Sequence, residues 1–314
     1  GIFLIHTGIG LAESSTYAGP GPYPVSMTTV SDQGLLFIPS DPSKKSRKWP
    51  AVVFGHGLCG PTARYSDTLK RISSWGFLII ANEKQEDCGE AMSPEHPVAA
   101  MKNFFSMPFK FGSAVNYGTM TKNMTNNVEY LLTREDVDPK AITLMGHSMG
   151  GKAAMALALA HPELVGKLAV VDIAPAPSPG TFIHYVEALN AMDLSQVTSR
   201  KEADALLAPT EANPGIRAFL LQNLESGNNG FSWRVNLSAL AGAMEDLLDW
   251  PEMPHGHSYV GPTLFLAGGA SDYIAPHHHG EIKRLFPAAH IEVMPGIGHF
   301  PMSENPAAFR PFFL

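Results

Sequence analysis

The sequence predicts an α/β fold: a mostly parallel central sheet flanked by helices, with a helical cap inserted late in the chain. Three observations predict it. Short apolar runs recur without polar alternation, as expected of strands buried on both faces. Helix-like segments alternate with these runs, an order that sets neighbouring strands parallel. One run turns directly into an alanine-rich segment through a serine set among glycines, GHSMGG at residues 146–151.

The composition fits such a body. The chain has 314 residues, 45% hydrophobic and only 16% charged, enough apolar matter for a large core and too much for global disorder. Its 22 basic and 29 acidic side chains leave a net charge of −7, the wrong sign for a nucleic-acid binder. No apolar stretch reaches the length of a membrane-spanning helix, about 18 residues or more.

The elements follow in order. Residues 1–24 form a lead-in. Residues 2–12 (IFLIHTGIGLA) are apolar and read either as the tail of a secretory signal, cleaved near Ala12 or Ala18, or as a first segment lying on the body. The first reading favours a secreted or extracytoplasmic location, and the second leaves a cytoplasmic one open. The Gly/Pro-rich residues 19–24 are an irregular entry. Short strands are expected at 25–30 and 35–38. Buried strands are expected at 51–54 (AVVF), 77–81 (FLIIA), 141–145 (AITLM), 168–173 (LAVVDI), 263–267 (TLFLA) and 291–294 (IEVM). Helices are expected at 63–75, 125–133, 152–160 and 280–286. Two stretches break this rhythm. Residues 83–120 are polar, Met/Phe-rich and irregular, and their Phe104, Phe105, Phe109, Phe111, Met101 and Met107 either line an acyl pocket or pack the excursion down. Residues 176–258 carry helical pieces and no clear strand, and they fall between two core strands. The expected division is therefore a core of residues 25–175 and 259–314 with a cap at 176–258, and insertions at strand ends are where ligands bind.

The chemistry centres on Ser148. A serine on a sharp strand-to-helix turn has its hydroxyl pushed out of the sheet, and the residues two before and two after must be small. Here they are Gly146 and Gly150. The helix N-terminus behind it favours negative charge on the reacting oxygen. Such a nucleophile needs a base, and His299, in PGIGHF just past the last strand, is the candidate among the thirteen histidines. The acid is expected at Asp272 (GGASDYIAP), because the histidine then comes from the very next strand. Asp172, in VVDIAP one strand earlier, is the alternative. A tetrahedral intermediate needs two preorganised N–H donors. Met149, next after the nucleophile, and Leu58, in the turn GHGLCG after 51–54, are the expected pair, with His56 shaping that turn.

The two cysteines, Cys59 and Cys88, follow strands expected to be sheet neighbours. They form either one bridge or two buried thiols. His277, His278 and His279, with His255 and His257, invite a metal reading. Consecutive histidines at a helix start point in different directions, so no metal site is expected. The proposed chemistry requires no cofactor.

These residues carry a resemblance. The chain resembles the α/β-hydrolases from about residue 22 onward. LMGHSMGGKAAMALAL, VVDIAP, LFLAGG and GEIKRLFPAAHIEVMPGIGHF are similar to the small esterase/thioesterase branch. In that branch the acid lies in the VDIAP segment, which raises Asp172; this chain carries Asp272 as well, so the resemblance leaves both acids open. GPYPV, WPAVVFGHGLCG and YSDTLKRISSWGFLIIANE resemble platelet-activating-factor acetylhydrolases, chlorophyllases and cutinase-type lipases. The resemblance implies an α/β-hydrolase fold and a serine carboxylic-ester hydrolase acting on a small-molecule or lipid-like ester. A thioesterase or lipase would use the same residues. A catalytically silent hydrolase-fold binding protein is the reading from another class.

Overall fold

The computed structural model describes residues 19–30, 34–43, 47–57, 62, 65–82, 118–179, 181–227, 230–235, 237–238, 240–241, 248–250 and 256–313. The chain divides into two compact units. The first holds an eight-stranded sheet. Its elements are β1 (Val25–Val30), β2 (Gly34–Pro39), β3 (Trp49–Gly55), α1 (Ser66–Ser73), β4 (Leu78–Ala81), α2 (Gly118–Leu132), β5 (Val137–His147), α3 (Met149–Ala160) and β6 (Lys167–Val171). The second unit contributes α4 (Thr181–Asn190), α5 (Arg200–Leu207), α6 (Pro214–Leu220), β7 (Leu224–Gly227) and β8 (Gly230–Trp233). The chain then returns to the first with β9 (Thr263–Gly268), α7 (His279–Leu285), β10 (Ala289–Met294), α8 (Pro301–Glu304) and α9 (Pro306–Phe309).

The sheet order is β1-β2-β4-β3-β5-β6-β9-β10. Strands β1 and β2 pair antiparallel, β2 meets β4 antiparallel, and the pairs from β4 to β10 are parallel. The apolar runs sit where they must. All four residues of β4 and all six of β9 are buried, whereas the edge strands β1 and β10 expose much of their length. Side chains alternate between the two faces. On one face Val52, Phe54, Ile79, Met145, Val171 and Leu266 join Leu69 and Ile72 of α1 and Phe309 of α9 in one cluster. On the other lies α3, whose Gly151 packs against Val170 and Ile173. Each large apolar side chain so buried contributes about 1.5–3 kcal/mol.

Helix α1 shows how sequence selects a face. Leu69 and Ile72 point inward while Asp67, Lys70 and Arg71 lie on the polar side, and the chain leaves through Gly76 at φ +102. In α3 nearly every residue is buried, and the alanine run lets the helix lie close to the strands.

Register positions the site. Gly55 pairs with Gly146 and His147 with Val171, so the C-terminal ends of β3, β5 and β6 are level. Strand β3 is followed on one side by β4 and on the other by β5, which makes the β3/β5 boundary a topological switch point, where ligands bind in open α/β sheets.

In the second unit Arg217 of α6 binds Asp204 of α5 (2.9 Å), and Ser199 caps α5. This unit corrects one expectation: β7 and β8 form an antiparallel hairpin where no strand is read from sequence. Each is four residues long and contains glycine and serine, so neither presents an apolar run.

Candidate active site

Ser148 joins β5 to α3 with φ 54 and ψ −125, a conformation that non-glycine residues rarely adopt and that needs outside support. Support comes from both sides. The Ser148 N–H donates to the Val171 carbonyl (3.0 Å), and the Gly151 and Lys152 N–H groups donate to the Ser148 carbonyl (2.8 and 3.2 Å). The glycine spacing is steric. A Cβ on Gly146 would collide with the Gly150 carbonyl, one on Gly150 with the Gly55 carbonyl, and one on Gly151 would lie 2.6 Å from Ile173 Cγ2.

His299 lies in the loop after β10. The Ser148 hydroxyl donates to His299 Nε2 (3.0 Å), and His299 Nδ1–H donates to Asp172 Oδ2 (2.8 Å). The Asp172 side chain is wholly buried and that of His299 is 12% exposed. Asp172 follows β6 directly, at φ 49. Two further donors hold its carboxylate: the Gly268 N–H reaches Oδ1 (2.7 Å) and the Ser271 hydroxyl reaches Oδ2. Tyr273, from the same loop as Ser271, stacks on the His299 ring with centroids 3.9 Å apart and planes inclined by 21°.

The carboxylate on His299 is therefore Asp172, which corrects the leading expectation of Asp272. Asp272 is exposed, and its charge acts on His278. The physical reason is the path of the loop after β10. The Gly269 N–H binds the Met294 carbonyl and the Ala270 N–H binds the Ile297 carbonyl, each at 2.8 Å. The loop thus folds back across the end of β9 and delivers His299 to the end of β6. The β9 loop still reaches this carboxylate, through Ser271 rather than its neighbour.

A second hydrogen-bonded line runs behind the serine, through residues not singled out from sequence. His147, buried next to Ser148, donates from Nε2 to the His299 carbonyl (2.7 Å). Its Nδ1 accepts from the Tyr65 hydroxyl (3.0 Å), whose oxygen accepts from the Gly57 N–H (3.3 Å). Burial, and then the neighbouring His299, push the His147 ring down to about 3. His56 is buried as well. It is lowered by desolvation and donates from Nδ1 to the Gly57 carbonyl (2.8 Å). The signal for His147 is its place inside the GHSMGG motif; Tyr65 opens the segment YSDTLKRISSWGFLIIANE, in which nothing marks it for a role at the site.

Met149 opens α3, so its N–H belongs to the first turn, where no intrahelical acceptor exists. Leu58, Cys59, Cys88, His255, residues 1–18 and the phenylalanines and methionines of 83–117 lie outside the described residues. His278 is buried and accepts the Ala275 N–H on Nδ1 (3.0 Å). Among the described residues no group of three or more His, Cys, Asp or Glu could hold a metal ion, and no helix is long and apolar enough to cross a membrane.

Comparison with known proteins meets both halves of the resemblance. The family model described as Alpha/beta hydrolase family matches residues 111–312, and one described as Chlorophyllase matches residues 24–181. The sn-1-specific diacylglycerol lipase ABHD11 of Mus musculus is 35% identical over 267 residues, covering 83% of this chain and 78% of that one. Esterase YbfF of Escherichia coli (strain K12) is 30% identical over 195 residues, covering 62% of this chain and 72% of its own. Among solved structures, a marine microorganism esterase superposes with a TM-score of 0.64 at 24% identity, over 93% of this chain and 99% of that one, a likeness of fold. The chain belongs to the alpha/beta hydrolase family, among its ester hydrolases.

Proposed function

We propose that the chain hydrolyses carboxylic esters through a Ser148–His299–Asp172 triad and an acyl-enzyme intermediate. The observation that carries this reading is the unbroken line from the Ser148 hydroxyl through both nitrogens of His299 to the buried Asp172 carboxylate. Neutral His299 takes the serine proton as Oγ attacks the acyl carbon. Asp172 keeps Nδ1 protonated, so that Nε2 is the free base, and steadies the imidazolium once it forms. The donors proposed for the tetrahedral oxyanion are the Met149 N–H at the start of α3 and, from the sequence reading, the N–H of Leu58, three positions past the end of β3. His299 then returns the proton to the leaving alcohol. A water activated by the same imidazole releases the acid and restores the serine.

The name of the mouse relative supports a lipid-like ester with an acyl chain as substrate. The test is hydrolysis of p-nitrophenyl esters from acetate to palmitate by the parent protein and Ser148→Ala. Activity in the parent that is lost in the variant is the expected result. Activity surviving in the variant would remove the serine from the mechanism, and a folded parent inert on every chain length would favour a binding role.

A further inference from the structure

We propose that His147 and Tyr65 are positioning residues: one buried hydrogen-bonded line ties the backbone of His299 and the backbone of Gly57 to the strand that leads into Ser148. The proposal rests on the triad reading above and adds to it the means by which base and nucleophile keep their spacing.

The direction of each bond is forced. A carbonyl only accepts, so the bond to the His299 oxygen places a hydrogen on His147 Nε2. In a neutral ring Nδ1 is then a lone pair, so the Tyr65 hydroxyl donates to it, and the phenolic oxygen remains to accept the Gly57 N–H. The line works only while the ring is neutral, and burial keeps it so.

The place where the line ends is the second argument. The Gly298 and Phe300 N–H groups, on either side of His299, donate to the two carboxylate oxygens of Glu304 (2.8 and 3.0 Å). The His299 carbonyl between them goes to His147. Glu304 therefore anchors the loop to α8, and His147 alone of these contacts anchors it to the residue preceding the nucleophile. The other end holds Gly57, next to the expected oxyanion donor. The space there is tight: a Cβ on Gly57 would lie 3.1 Å from His147 Nδ1. A misplacement of about 1 Å can cost roughly a hundredfold in rate, so a tether of this kind has kinetic weight.

The test uses the full chain and a soluble p-nitrophenyl ester, with kcat and KM measured for Tyr65→Phe, His147→Leu, His147→Gln and the Tyr65→Phe/His147→Leu double variant. Tyr65→Phe keeps the ring that packs on Phe54 (centroids 4.9 Å) and removes only the hydroxyl. Gln can still donate to the His299 carbonyl, and Leu cannot. The expected result is a fall in kcat of roughly ten- to a hundredfold for Tyr65→Phe and His147→Leu, with KM within about threefold. His147→Gln should recover most of the loss, and the double variant should be no slower than the slower single one, because both break one line.

Folded single variants with parental kcat, a Gln variant no better than Leu, or losses that multiply would each overturn the relay. If His147→Leu does not fold, Tyr65→Phe decides alone, and an unchanged kcat there overturns the proposal. Ser148→Ala measured alongside separates the two readings. Hydrolysis surviving in it overturns the triad and the relay together, whereas an inert Ser148→Ala beside unimpaired relay variants overturns the relay only.

Discussion

Asp172 and His299 stand 127 positions apart in the chain and meet at 2.8 Å, the carboxylate at the end of β6 and the imidazole from the loop beyond β10. The meeting requires the loop to cross the end of β9, and it leaves Asp272 outside. Asp172→Asn should therefore lower kcat by about a thousandfold or more, because the amide cannot hold His299 in the tautomer that accepts from Ser148. Asp272→Asn should stay within about twofold of the parent. Steady-state kinetics on one soluble ester decides between them, and the reverse pattern would return the role to Asp272.

Ser271 donates to the same carboxylate oxygen that His299 uses. A hydrogen bond to a charged group is worth about 1.5–3 kcal/mol, so Ser271→Ala should lower kcat roughly tenfold and leave KM little changed. Ser271→Thr, which keeps the hydroxyl, should lie closer to the parent. Equal kcat values for parent and Ser271→Ala would show that Asp172 is held well enough by the Gly268 N–H alone.

The glycines of the elbow are fixed by contact. A methyl on Gly150 would collide with the Gly55 carbonyl and come within 2.6 Å of the His56 carbonyl oxygen. Backbone yields less readily than a side chain, so Gly150→Ala should cost about 1–3 kcal/mol of stability and most of the activity. Gly280→Ala is the control, since nothing lies within 4 Å of a Cβ there. Denaturant midpoints for the two variants measure the difference, and equal midpoints would contradict the packing.

His147 gives the stability a pH dependence of known sign. Folded, it is held down to about 3 by burial, against an ordinary value of 6.5. Between those values the unfolded chain carries the extra proton. The stability is therefore fully present above about pH 6.5 and is lost as the pH falls toward 3. Urea midpoints at pH 7 and pH 5 should fall more steeply for the parent than for His147→Gln, which has no group to titrate there. Equal slopes would place the acid sensitivity elsewhere, with His56 and His278, which burial lowers in the same direction.

How much of this was legible in the sequence depends on whether a feature is written locally. The strands of the sheet were legible because burial on both faces leaves apolar runs, and the serine because its turn demands glycine at fixed spacings. His299 was legible from its place after the last strand. The pairing of His299 with Asp172 was not, since adjacency along the chain suggested the neighbouring strand and only the fold-back through Gly269 and Ala270 brings β6 within reach. The line from Gly57 through Tyr65 to His147 spans 82 positions between its two side chains and has no spacing to betray it. The β7–β8 hairpin escaped because strands of four residues rich in glycine and serine carry no periodic signal.

The proposed mechanism requires Ser148 to carry the acyl group. The most direct measurement is mass spectrometry of the protein after treatment with a p-nitrophenyl alkylphosphonate, a reagent that phosphonylates an activated serine and stays attached. One adduct per chain is expected, carried by the peptide containing Ser148 and absent when His299 is replaced by alanine. An adduct on a different residue, or none in a protein that hydrolyses esters, would contradict it.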